Sequence, residues 1–319
     1  MISIPGNYFE NCRVIALDIE TTGLDSNNNS IILVGILDLY GDNHFRQFFC
    51  ENLSMEKDLL EFIIENVENS DVIITYNGAS FDIPFINKRF IKFGIDYAIP
   101  AHKNLDLYKI LRSTYIKSLL PNMKQKTMEA FIGIIDTRKD KISGYESVLK
   151  YLEFLKTDSA LLKDEILLHN KDDILQLTQL LSLLKKIDIH KSMFKSGFPI
   201  VQKTGKIYLE SIKIKANTLL IKAHYYGFLK EAMHYSNGYN LIFSKQNNTM
   251  IIEIPLYISS GHSFIDIREF DYSEEKISEL MKYPGYVHGY LVVSENGVIR
   301  HNEINQFIKM ICKDILTKI

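Results

Sequence analysis

The sequence predicts a mixed α/β sheet flanked by helices, followed by a β-rich α+β domain. Three observations predict it. Short apolar runs near the N-terminus alternate with amphipathic stretches of helical period, the pattern of β-α-β units stacked in layers. From Tyr108 to Lys186 the pattern turns mostly helical. Beyond residue 206, β-rich segments return at short intervals.

The elements follow in order. Arg13–Asp18 (R-V-I-A-L-D) is a short apolar run that ends on an acid, and reads as a strand. Ile31–Leu39 and His44–Cys50 continue as β-rich segments, with Gly41-Asp42-Asn43 as the turn between them. Ser54–Val67 reads as an amphipathic helix, because Leu59, Leu60, Ile63, Ile64 and Val67 recur at helical spacing. Asp71–Tyr76 is a buried-strand run. Phe81–Phe93 is a helix with Phe85, Ile86, Phe90 and Phe93 on one side and Pro84 in its first turn. Asn104–Leu107 is a last short strand, and a long helix closes the first half after Pro121 and Gly133.

Residues 192–206 mix Gly, Pro and polar residues without a period. The division is therefore 1–186, a linker 187–206, and a second domain 207–319. That domain carries expected strands at Ile207–Lys215, Thr218–Tyr225, Tyr239–Ser244, Thr249–Ile258, Phe264–Glu269 and Val287–Ser294. Gln246-Asn247-Asn248 and Glu295-Asn296-Gly297 suit hairpin turns. A helix follows Asp271, with Glu274 at capping-box spacing, and Glu303–Leu316 forms a last amphipathic helix.

Composition narrows the function classes. The 319 residues are 46% apolar and 24% charged, with a net charge of −2, so no global field draws the chain to nucleic acid or membrane. The three cysteines are scattered and form no disulfide framework, which fits a reducing cytoplasm. No signal peptide and no membrane-spanning run is expected. Locally, Leu107–Met128 holds Lys109, Arg112, Lys117, Lys124 and Lys126 without an acid. Lys203–Lys230 interleaves six lysines with Tyr208, Tyr225, Tyr226 and Phe228, a pattern that suits a charged, stacking surface for nucleic acid but equally the wet face of a sheet.

Three acidic patches stand against apolar sequence. Asp18 and Glu20 are two apart on a strand, so both point to one face, at the start of a Thr-Thr-Gly-Leu turn. Such a pair needs a proton or a cation, although a lone D-x-E is more often a strand end running into solvent. Asp82 opens a helix, where dipole and capping alone explain an acid. Asn77 is placed to brace the preceding turn with its side-chain amide. In the third patch Asp173 shares its helical stripe with Ile166, Leu177, Leu180 and Leu184, whereas Asp172 shares one with Glu165, Gln176 and Gln179 and reads as solvated. His169 lies one turn before Asp173 on the same face. Carboxylates against a core suggest hard divalent cations and phosphodiester chemistry.

At D-I-E-T-T-G-L, N-G-A-S-F-D-I-P-F and H-N-K-D-D-I-L the chain resembles the DEDD-type 3′–5′ exonucleases of the ribonuclease H-like fold. With K-T-M-E-A-F-I-G-I (126–134) and D-K-I-S-G-Y-E (140–146), it is most similar to the YprB-type ribonuclease H-like family. The resemblance covers residues 10–186. It implies that Asp18, Glu20, Asp82 and Asp173 hold two Mg²⁺ or Mn²⁺ ions, and that His169 orients or deprotonates the attacking water. Thr21 and Leu24 would contact the terminal nucleotide, Leu24 as a wedge. Asn77, Lys109, Arg112, Lys124 and Lys126 are the expected contacts to a single strand of DNA or RNA. The histidine stands four residues before the last aspartate, the register in which related exonucleases carry tyrosine. The expected function is a metal-dependent 3′–5′ exonuclease on single-stranded ends. The alternative is a nucleic-acid-binding or adaptor module with a vestigial site.

Overall fold

The computed structural model describes residues 5–39, 44–227, 234–235 and 238–318. The expected Gly41-Asp42-Asn43 turn, Phe228 and Lys230 lie outside these residues. The chain divides into two units, one of them spanning Cys12–Ile187. The other joins Pro5–Asn11 to the residues from Asp188 onward.

The first unit is built on β1 (Val14–Thr21), β2 (Ile31–Asp38), β3 (Phe45–Phe49), α1 (Glu56–Val67), β4 (Val72–Thr75), α2 (Asp82–Lys92) and β5 (Asn104–Asp106). Then come α3 (Leu107–Arg112), α4 (Ile116–Leu119), α5 (Gln125–Ile132), α6 (Gly144–Thr157) and α7 (Ala160–Leu180). The sheet order is β3-β2-β1-β4-β5. The first three strands form an antiparallel meander, and β4 and β5 add in parallel.

Two apolar layers cover this sheet, and their division places the site. Ile15, Leu17 and Ile19 of β1 join Leu59, Leu60 and Ile63 of α1 and Phe85, Ile86 and Phe90 of α2 in one core cluster. Ile32 and Leu33 of β2 pack with Tyr151, Phe154 and Ile166 of α6 and α7 in another. Side chains alternate along a strand. Asp18 and Glu20 therefore face α6 and α7, away from the first cluster.

One buried ion pair closes the first layer. Arg89 of α2 donates from Nε and Nη2 to Glu56 of α1 at 2.7 and 2.6 Å. Glu56 also accepts the Ile31 N–H at 2.8 Å, and Arg89 Nη1 donates to Ser26 O at 3.0 Å. The pair thereby ties down the middle and the far end of the loop that joins β1 to β2.

The second unit contains α8 (Ile189–Ser196), β6 (Pro199–Gln202), β7 (Gly205–Lys215), β8 (Thr218–Gly227), β9 (His234–Tyr235), β10 (Asn240–Ser244) and β11 (Thr249–Pro255). It continues with β12 (Tyr257–Ser259), β13 (His262–Asp266), α9 (Glu274–Leu280), β14 (Tyr286–Val287), β15 (Tyr290–Glu295), β16 (Val298–Ile299) and α10 (His301–Lys318). Two antiparallel sheets result, β6-β7-β8-β11-β10-β9 and β12-β13-β15-β14, with β16 pairing to β15. Its N-terminal piece is held by side chains. Asn305 donates to the Tyr8 hydroxyl at 2.8 Å, and Lys309 donates to Gly6 O at 2.8 Å while lying over the Tyr8 ring.

Three expectations need correction here. The linker 187–206 is structured: Asp188 caps α8 by accepting the Lys191 N–H at 2.9 Å, and β6 follows as an edge strand with proline at its first position. Its buried Ile189 and Met193 lie on a short helix, Ile200 on a short strand and Phe198 between them, too few in each to show a period. Helix α9 has Ser273 at its N-cap, not Asp271. The tyrosines of the Lys203–Lys230 stretch offer little stacking surface, because Tyr208 and Tyr225 are buried. No described helix is long and apolar enough to cross a membrane.

Candidate metal centre

β1 presents Asp18 and Glu20 to α7, and a glycine makes the approach possible. Asp18 pairs with Gly35 across the β1–β2 ladder. A Cβ at Gly35 would lie 2.1 Å from Asn170 Oδ1 and 2.5 Å from Ile174 Cδ1. With hydrogen there instead, Asn170 reaches over the strand and donates to Asp18 Oδ2 at 2.8 Å and to Asp18 O at 3.2 Å. Gln47 Nε2 fixes the Asn170 oxygen at 2.8 Å.

Asp82 arrives from the other side of the sheet edge. It is the first residue of α2, is buried, and accepts the Ile19 N–H at 3.3 Å. The turn before it is held by Asp106, whose carboxylate accepts the N–H groups of Asn77 at 2.9 Å and Ala79 at 3.1 Å. Asn77 has a positive φ of 67°, a backbone state asparagine tolerates better than most residues. The turn is thus braced through the Asn77 backbone, where the sequence suggested its side-chain amide.

α7 supplies the last two groups. His169 Nε2 lies 3.8 Å from Glu20 Oε1 and 3.6 Å from Asp173 Oδ2. One ligand atom from each of Glu20, His169 and Asp173 falls within 4.8 Å of the others. His169 Nδ1 is 2.7 Å from Asp140 Oδ2. Arg138 donates to Asp173 Oδ1 at 2.5 Å, to Asp140 Oδ1 at 2.6 Å, and to Glu129 at 2.9 and 2.7 Å.

The expectation for Asp172 is overturned. It is 5% exposed, and its Oδ2 accepts the N–H groups of Lys139 at 2.5 Å and Asp140 at 2.8 Å. Gln176 on the same stripe is buried too and donates to Thr137 Oγ1 at 2.7 Å. The stripe that read as solvated is covered by residues 137–140, whose unpaired backbone donors require polar partners. Asp172 therefore supports a loop. Asp173, the residue beside it, reaches the cluster.

Electrostatics sets the cluster apart. Burial, followed by repulsion from Asp173, Asp82 and Glu20, holds the Asp18 carboxyl well above the ordinary range. Burial pushes Glu20 up to about 7, with His169 opposing and Asp173 adding to the rise. Asp82 is also pushed up to about 7, by burial against the N–H groups that favour its charge. Burial raises Asp173 despite His169 and Arg138. His169 itself is raised, since the Asp140 hydrogen bond and the Asp173 and Glu20 charges outweigh burial. Asp140 is lowered to about 2, because His169 and Arg138 hydrogen bonds outweigh its burial. The four repelling carboxylates and one imidazole contain no thiolate, a hard donor set that fits Mg²⁺ or Mn²⁺.

The expected nucleic-acid contacts divide. Leu24 is 86% exposed in the turn after β1. Thr21 is buried, and its hydroxyl donates to Gly23 O at 2.8 Å, so it shapes that turn. Lys109, Arg112 and Lys124 are exposed, with the Arg112 guanidinium 5.8 Å from the Tyr108 ring centre. Lys126 is exposed too, but its ammonium is engaged within the chain: it donates to Ile142 O at 2.8 Å and lies 3.5 Å from Asp140. An open groove of about 370 Å³ is lined by Tyr76, Asn77, Tyr108, Met123, Lys124 and Gln125. Gln125 donates to Asp173 O at 2.8 Å, so the groove borders the acidic cluster.

Sequence reasoning missed Asp106, Glu129, Arg138, Asp140 and Asn170. Glu129 and Asp140 stand inside the two stretches that carried the family resemblance, but nothing in their spacing marks a role. Asn170 adjoins His169, and only Gly35 across the sheet explains why it matters.

Comparisons with known proteins follow this geometry. A family model described as the RNase_H superfamily matches residues 15–185. A DNA polymerase of Pyrococcus glycovorans is 28% identical over 174 residues, which are 45% of this chain and 22% of the polymerase. The uncharacterized protein YprB of Bacillus subtilis is 29% identical over 176 residues, 53% of this chain and 41% of that protein. The chain thus spans under half the length of each of these curated relatives. The family B DNA polymerase of Pyrobaculum calidifontis aligns with a TM-score of 0.44 at 12% identity, covering 93% of this chain and 46% of that one.

Proposed function

This chain belongs to the RNase H superfamily, and from that premise we propose that it is a metal-dependent nuclease, a 3′–5′ exonuclease on single-stranded DNA or RNA ends. The observation that carries the reading is the meeting of Glu20, His169 and Asp173 within 4.8 Å, with Asp18 on the same face of β1 and Asp82 bonded to the Ile19 N–H beside them, so that the four carboxylates repel. These four residues are the proposed ligands of two divalent cations, Mg²⁺ or Mn²⁺. When bound, such cations supply the charge that activates a water and stabilises a leaving oxygen.

The protein's own groups do the rest. Asn170 fixes the Asp18 carboxylate, and Arg138 fixes Asp173. His169 turns Nε2 toward Glu20 and Asp173, where it takes the proton of the attacking water. Leu24 wedges against the last base. The groove between Tyr76 and Tyr108, with exposed Lys124, Lys109 and Arg112 nearby in sequence, receives the preceding nucleotides.

End-labelled DNA and RNA oligomers, single-stranded and duplex, incubated with the purified chain in Mg²⁺ or Mn²⁺ test this. Stepwise shortening from the 3′ end is expected, and Asp18→Ala should lower the rate at least ~10³-fold. A wild type that cleaves nothing and matches Asp18→Ala in every assay would sink the proposal.

A further inference from the structure

The segment between α5 and α6 reaches the acidic cluster through the Arg138 guanidinium and through the Asp140 carboxylate, and the second contact has a chemical meaning of its own. Asp140 Oδ2 lies 2.7 Å from His169 Nδ1, and Asp140 is 8% exposed. The carboxylate cannot turn away. Its Oδ1 is held by Arg138 at 2.6 Å, and its backbone N–H is held by Asp172 at 2.8 Å. Arg138 is itself clamped by two bonds to Glu129 on α5.

We propose that Asp140 is the positioning residue of His169, and fixes the imidazole as the tautomer with hydrogen on Nδ1 so that Nε2 is free to accept a proton. This rests on the reading of His169 as the base. A carboxylate accepts hydrogen bonds and does not donate them, so the nitrogen facing it carries the hydrogen. The other nitrogen is 3.8 Å from Glu20 and 3.6 Å from Asp173, beyond hydrogen-bond reach, so neither carboxylate holds a hydrogen on it and it is left as acceptor. An amide in place of Asp140 can present its N–H to Nδ1 and invert the tautomer with little change of shape, the logic known from carboxylate-oriented histidine bases. Asp140 also accounts for the histidine register. A histidine one turn before Asp173 sits under the 137–140 segment, where Asp140 can hold it.

The test combines kinetics with spectroscopy on the full chain. Asp140→Asn should lower kcat by ~10²-fold or more while KM stays within ~2-fold. In His169→Ala, adding Asp140→Asn should cost nothing further, because the group it orients is gone. Equal losses in the two backgrounds, or a kcat near wild type in Asp140→Asn, would overturn the assignment. The second measurement needs no turnover. ¹⁵N-histidine-labelled wild type, loaded with Mg²⁺ above the imidazole pKa, should show His169 protonated at Nδ1, identified against His169→Gln. Protonation at Nε2 would refute the inference even if the nuclease reading stands. If no substrate is cleaved, the nuclease reading fails and the spectrum alone decides the Asp140 role.

Discussion

Two of the places where the first unit buries charge are treated in opposite ways. Between α1 and α2, Arg89 and Glu56 are 3% and 1% exposed and match each other bond for bond, with Ile31 and Ser26 taking the remaining valences. At the C-terminal end of the central strand β1, Asp18, Glu20, Asp82 and Asp173 meet, and among the described residues Arg138 and His169 offset them. The balanced pair asks for nothing and holds a loop. The unbalanced cluster is pushed toward protonation and favours any cation that enters. Buried charge is thus a guide to function only where its partners fall short.

Perturbing each place separates the two cases. The largest effect is expected at the balanced pair. Arg89→Met leaves Glu56 buried and alone, which costs about 3–5 kcal/mol and lowers Tm by on the order of 10 °C. Adding Glu56→Gln should restore part of that, since the amide oxygen still accepts the Ile31 N–H. Thermal denaturation of the single and double variants measures it, and an unchanged Tm in Arg89→Met would remove the contrast.

The cluster should respond in the other direction. Asp82 has a folded pKa of about 7 against an ordinary 3.8, and Glu20 about 7 against 4.5, so the folded chain keeps protons that the unfolded chain releases. Their stabilising contribution is complete below about pH 4 and is lost as pH rises through about 7. Metal-free protein should therefore melt several degrees lower at pH 8 than at pH 5.5, and Mn²⁺ at pH 8 should recover the difference. Asp82→Asn keeps an oxygen for the Ile19 N–H and should raise the metal-free Tm at pH 8, in contrast to Arg89→Met. A cluster insensitive to both pH and Mn²⁺ would contradict the unbalanced description.

The smallest effect belongs to the loop that the balanced pair anchors. Leu24→Ala removes an exposed side chain, so Tm should hold within about 1 °C. KM for a single-stranded oligomer should rise roughly fivefold, as expected for losing part of one apolar contact. A Tm loss with KM unchanged would make Leu24 a structural residue.

The sequence revealed the parts of this site that periodicity governs. A two-residue spacing on β1 put Asp18 and Glu20 on one face, and a four-residue spacing on α7 brought His169 over Asp173. It failed where an aperiodic segment does the work. The helical stripe that read Asp172 as solvated carries no information about a covering loop, and residues 137–140 supply one. Asp140, Arg138 and Lys126 were illegible for the same reason, since their partners lie on other elements. The expected linker failed because eight-residue helices and four-residue strands are shorter than the windows that reveal a period. The matching family model ends at residue 185, within the first unit, and no chemistry is assigned to the second.

Pro5–Asn11 belongs to the same unit as the residues from Asp188 onward. Tyr8 and its partner Asn305 are 297 positions apart. At ribosomal speeds of ~5–20 residues per second, that separation is about 15–60 s of synthesis. Through that interval the strap waits without its helix while the nuclease-like unit can already fold. A chain stalled before α10 would carry a finished acidic edge and a second unit still open at its seam.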